Sequence, residues 1–178
     1  MLDDHGFEIY ENNEFPLAYL ITFRTYGTWL HGDERGSTRR FRKSETEKKS
    51  IPINIPLKEK MIEETNAPAV LLGKQQRKIV EEAINEVCGF RNYVLHAVNA
   101  RTNHTHSVVS AQCPPERIAD TFKAYSTRRL REAGLIGIEE GIWARGRSRR
   151  YLWKPRHVDA AIEYVLYGQG DLPFELED

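Results

Sequence analysis

The chain is predicted to fold as an α+β domain, an antiparallel sheet of four to five strands with helices packed mainly on one face. Three observations carry that expectation. Residues 17–25 are rich in β-branched and aromatic side chains and apolar on both faces, as a central strand requires. Residues 91–100 and 104–110 are two strand-like runs joined by a short polar connection, the pattern of an antiparallel hairpin. Three segments with helical spacing lie between or after the strands, giving the order β, loop, α, β, β, α, β, α, and such alternation of hairpins and helices is the mark of an α+β layer arrangement.

Taken in order, residues 1–14 read as an irregular arm, and the strand at 17–25 is broken by Gly27 and Gly32. From 33 to about 56 no hydrophobic period is sustained. The charged stretch 35–50, with Arg39, Arg40, Phe41, Arg42 and Lys43, reads as a long exposed loop, so the chain is one domain, 1–178, with an extended loop insertion at about 31–56. A short helix is expected at 57–66. Residues 74–88 form the clearest helix: Ile79, Val80, Ala83, Ile84, Val87 and Cys88 share a face, and Gly89 stands where a left-handed cap is wanted. In the strand at 91–100, Tyr93, Leu95 and Ala97 alternate with Val94, His96 and Val98, which makes His96 a packed or hydrogen-bonded side chain rather than a ligand. Pro114 and Pro115 open a helix that runs to about Glu132, with Ile118, Ala119, Phe122, Ser126 and Leu130 on its apolar side and Lys123, Thr127, Arg128 and Arg131 largely on the other. Residues 141–153 read as a strand or strand-bulge-strand with Trp143, Tyr151 and Trp153 among arginines. Pro155 leads into a last helix at 157–168, whose buried stripe is Val158, Ala161, Ile162 and Val165.

Composition bounds the function. Of 178 residues 40% are hydrophobic, enough for a globular core, and no run approaches the ~20 apolar residues of a membrane span. The acidic beginning of the chain is unlike a signal peptide, and Cys88 and Cys113, the only cysteines, have no metal spacing. The expectation is a cytoplasmic protein with reduced thiols and no membrane partner. Net charge is zero, but ten basic residues between Lys123 and Arg156 face only Glu132, Glu139 and Glu140, while residues 1–14 hold five acids and no base. Such asymmetry points to a basic surface for a polyanion; the alternative is a solvated face paired with acids of the same chain.

Within the strand His104–Ser110, His104 and His106 sit at i and i+2, and on a pleated strand they point to the same side, where two imidazoles can close on one cation. With this pair, four stretches together resemble the single-strand-specific tyrosine transposases of small bacterial insertion sequences, within the HUH (His-hydrophobic-His) endonuclease superfamily: Leu20-Ile21-Thr22-Phe23-Arg24; Asn103-His104-Thr105-His106; residues 122–130; and Ile142-Trp143-Ala144-Arg145-Gly146 leading into Ala161-Ile162-Glu163-Tyr164-Val165. The resemblance spans about residues 17–170. It implies a ferredoxin-like, RRM-like fold and a homodimer that cleaves and rejoins single-stranded DNA with hairpin ends, each cut passing through a 5′-phosphotyrosine. It also implies a divalent metal, Mg²⁺ or Mn²⁺, on His104 and His106, with Gln169 as third ligand and Tyr164 as nucleophile. Arg128, Arg129, Arg145, Arg147, Arg149 and Arg150, interleaved with aromatic side chains, are the expected nucleic-acid contacts.

Two departures stand out. Thr105 occupies the hydrophobic position of the motif, and Tyr164 and Gln169 are five residues apart where the family has four. Tyr167 and Tyr125 therefore stay open as alternative nucleophiles, and His31 and His157 as extra ligands or phosphate contacts, although a surface role is expected of both histidines. The rival functional expectation is an inactive or domesticated relative that binds DNA or RNA hairpins without cutting them.

Overall fold

The computed structural model describes residues 14–28, 37–40, 48–51, 55–56, 59–60 and 68–168. The elements are β1 (Ala18–Arg24), β2 (Ser37–Arg40), β3 (Lys48–Ile51), α1 (Lys74–Arg91), β4 (Val94–Ala100), β5 (His104–Ser110), α2 (Pro115–Glu132), β6 (Ser148–Leu152) and α3 (Pro155–Tyr167). Four strands form one antiparallel sheet in the order β4-β5-β1-β6. The chain path β1-α1-β4-β5-α2-β6 over that order is a βαββαβ, ferredoxin-like arrangement, and the α+β class expected from sequence is the one observed.

β1 is central because both its faces are apolar. Tyr19, Ile21 and Phe23 join Val80, Ile84 and Val87 of α1 and Ile118, Phe122 and Leu130 of α2 in the larger core. Ala18 and Leu20 join Ala97, Val108, Leu152, Ala161 and Val165 in a smaller core on the opposite face, beneath α3. Two helices thus cover one face and the third covers the other.

Several local expectations are corrected. α1 continues past Gly89 to Arg91, and its left-handed cap is Asn92 (φ 56°), whose side chain tolerates that conformation better than most. The alternation of β4 breaks at a bulge between Leu95 and Ala97. Leu95 pairs with Val109 and packs in the larger core, whereas Ala97 pairs with Val108 and packs in the smaller one. His96, at the bulge, is exposed and bonds Ser110 (Nε2 to Oγ, 2.7 Å). Within the segment expected to be loop, Ser37–Arg40 and Lys48–Ile51 form a two-stranded antiparallel ladder; pairing there follows from backbone hydrogen bonds, which leave no hydrophobic period to read. Residues 59–60 are helical, and the rest of the helix expected at 57–66 lies outside the described residues. Among the described residues no helix is long and apolar enough to cross a membrane, and both cysteines are free thiols.

Candidate active site

Strand register assembles the site. In the antiparallel ladders, Arg24 of β1 stands opposite His104 and Thr22 opposite His106, while Asn99 of β4 stands opposite His106 on the other side. Paired residues share a face, so these side chains lie together on the α3 side of the sheet. The two imidazole rings are 4.7 Å apart between centres and inclined at 72°.

Each ring is held by a hydrogen bond at Nδ1. His104 Nδ1 lies 2.6 Å from Asn103 Oδ1, an oxygen that can only accept, so the imidazole donates and its lone pair is on Nε2. The backbone of Asn103 is fixed in turn, its carbonyl accepting from Thr25 N–H at 3.0 Å and Thr25 Oγ1 at 3.1 Å. His106 Nδ1 lies 2.6 Å from Thr22 Oγ1 in a buried contact. Burial, reinforced by the charges of His104, Arg24 and Arg101, pushes the His106 imidazole down from its ordinary 6.5 to about 3. His106 is therefore neutral at pH 7; the Thr22 hydroxyl can donate or accept, and in the tautomer that donates Nδ1–H to it the His106 lone pair is on Nε2.

α3 brings the phenol. Its buried stripe of His157, Ala161 and Val165 seats the helix on the sheet, and Asn99 Nδ2 donates to Val165 O (3.0 Å), tying the end of the helix to the strand beside His106. Half-buried Tyr164 then places its ring 5.4 Å from that of His106, inclined at 71°. The chain closes tightly behind it: a Cβ at Gly168 would come within 3.1 Å of Tyr164 Cα and 3.4 Å of its ring carbon Cδ2. Of the alternative tyrosines, Tyr167 is 83% exposed, and Tyr125 is on α2, on the other side of the sheet, with its ring 5.4 Å from Phe90.

Comparison with protein-family models and with curated proteins gives no match.

The two imidazoles suit a cation. Rings that share one ion at ~2.1 Å from each nitrogen have centres roughly 4.6–5.3 Å apart for angles between square and tetrahedral, and the observed separation falls in that range. Neutral imidazole, the state of His106, is also the form in which histidine ligates. Gln169 and His31 lie outside the described residues. Among the described residues no group of three His, Cys, Asp or Glu side chains converges. His157, expected at the surface, is buried at the start of α3, where its backbone N–H bonds Lys154 O.

The six arginines divide. Arg147 pairs with Asp120 (2.6 Å), Arg149 with Glu116 (2.7 Å), Arg128 with Glu132 (3.4 Å) and Arg129 with Glu86 (3.3 Å) and Glu132 (3.6 Å). Arg150 stands opposite Leu20, which puts it on the histidine face, while Arg149 stands opposite Ile21 on the other. Arg145 is exposed on a turn held by Lys123, whose Nζ donates to Ala144 O (3.0 Å) and Gly146 O (2.6 Å). Thr22, Asn99 and Asn103, which orient the histidines and the helix, were not singled out by sequence. Thr22 is 84 positions from His106 and Asn99 is 66 from Val165, so only the tertiary fold brings those pairs together, whereas Asn103 is the immediate neighbour of His104.

Proposed function

We propose that this protein is a metal-dependent endonuclease and strand transferase for single-stranded DNA, acting through a 5′-phosphotyrosine on Tyr164. The observation that carries this reading is the Tyr164 ring lying against His106, on the face where His104 and His106 present neighbouring imidazoles. In the reaction, Tyr164 Oη bonds to phosphorus, the bond from phosphorus to the 3′ oxygen breaks, and the phenolic proton is replaced on the departing 3′-OH by way of solvent. One phosphodiester is exchanged for another, so the step is near balance in energy and a free 3′-OH can reverse it. Arg24, opposite His104, adds positive charge where a phosphate would lie. A divalent cation, Mg²⁺ or Mn²⁺, held by His104 and His106 would neutralise charge on the phosphoryl oxygens. Thr22 and Asn103 keep the rings in register, and Asn99 holds the phenol's helix in place. The reading includes a homodimer and a substrate whose ends fold into hairpins.

The test is incubation with hairpin-bearing single-stranded oligonucleotides and Mn²⁺, followed by denaturing electrophoresis. A covalent protein–DNA adduct is expected, lost in Tyr164→Phe and retained in Tyr167→Phe and Tyr125→Phe. Salt-sensitive binding with no adduct in the unmodified protein would replace the nuclease with a nucleic-acid-binding protein.

A further inference from the structure

The α1 and α2 side of the molecule, across the sheet from the histidines, has an open groove of about 850 Å³ between the end of α1 and the outer side of α2. Phe90, Arg91, Arg117, Tyr125 and Arg128 line it. Phe90 is 54% exposed, a large apolar side chain at the surface of a helix end. Its ring centre is 5.4 Å from that of Tyr125, with the planes tilted by 59°. Arg91 lies over Phe90 at 5.9 Å and Arg128 over Tyr125 at 4.2 Å, so each of the two aromatic rings has a guanidinium group against it.

Charge in the groove is one-sided. Its two carboxylates, Glu116 and Asp120, are engaged by Arg149 at 2.7 Å and Arg147 at 2.6 Å. Three guanidiniums remain on the walls, of which Arg128 also contacts Glu132 at 3.4 Å. An aromatic floor with cationic walls fits a ligand that is flat on one part and anionic on another. A nucleobase with its phosphate is such a ligand, because every base has a face for stacking and guanidinium planes stack as aromatic rings do.

We propose that this groove is a stacking subsite for a nucleotide of a single strand, separate from the place of cleavage. The inference rests on the reading of the protein as acting on single-stranded DNA and deepens it. The groove holds a segment outside the reacting phosphate, because α1 and α2 cover the face of the sheet opposite α3.

The experiment uses the whole chain and oligonucleotides carrying 2-aminopurine at successive positions, whose fluorescence is quenched on stacking. Quenching at a restricted set of positions is expected. Phe90→Ala should abolish it and weaken binding by about fivefold or more, and Phe90→Trp should restore both. Arg117→Gln should weaken binding evenly across sequences and lower the salt slope by about one. Quenching and affinity unchanged in Phe90→Ala overturn the proposal, as does a Phe90→Ala protein that loses self-association but keeps its oligonucleotide affinity. A Tyr164 adduct with binding indifferent to Phe90 would overturn the groove alone. Binding that depends on Phe90 with no adduct would support the groove and overturn the nuclease.

Discussion

Thr22 is a small residue with a large effect on geometry, since its hydroxyl is the bonding partner of a buried imidazole. Thr22→Val keeps the shape and removes that oxygen. We expect about 1 kcal/mol less stability and Mn²⁺ affinity lower by about 10–100-fold in titration calorimetry, with Thr22→Ser close to wild type. A second outcome follows from His106 itself. The unfolded chain takes up its proton near pH 6.5 and the folded chain only near about 3, so between those values the unfolded state binds more protons and stability falls as pH falls. The loss approaches about 1.4 kcal/mol per pH unit. Denaturant melts of wild type and His106→Gln from about pH 6 to 4 should show the steeper decline in wild type, and parallel curves would count against it. At this scale the sequence was readable where chemistry follows strand parity, as for His104 and His106. It was not readable for Thr22 as the partner of His106, because register depends on how two strands align and not on either composition alone.

At the scale of elements, the β4 bulge decides which face Asn99 occupies. An extra residue in one strand reverses the facing of all that follow it, and here it turns Asn99 toward α3 and Val98 toward the larger core. Asn99→Ala removes the bond to Val165 O and should speed amide exchange in the last turns of α3 while lowering adduct yield, with little change in far-UV circular dichroism. Unchanged exchange there would show that the apolar stripe alone seats the helix. The helices themselves were legible because their apolar residues recur at 3.6-residue spacing; the five α2 residues expected to face inward are all buried. The bulge was not legible, since β4 reads as an unbroken alternation, and neither was the cap at Asn92, which Gly89 outbid on propensity.

For the whole molecule, the two cores share a strand. Tyr19, Ile21 and Phe23 belong to one, Ala18 and Leu20 to the other, so neither can come apart without disturbing the other. Phe122→Ala, at a fully buried site in the larger core, should cost about 3–5 kcal/mol. Unfolding should remain a single transition, with Trp143 fluorescence (its ring lies 4.9 Å from Phe23) and far-UV circular dichroism changing together. Separate midpoints would mean that α3 and its core melt independently. The α+β class was legible from the order of elements alone. That α3 would cover the face α1 and α2 leave open was not, because an amphipathic stripe states that a helix is seated without stating on which side.

A sheet covered on both sides keeps its two surfaces from meeting. The groove outside α2 and the imidazoles beneath α3 are separated by a layer of helix and a layer of strand, on the order of 20 Å in thickness. Any polymer touching both must travel around a rim, so short oligonucleotides would occupy one surface or the other, and affinity should rise in a second step once the strand is long enough to reach round.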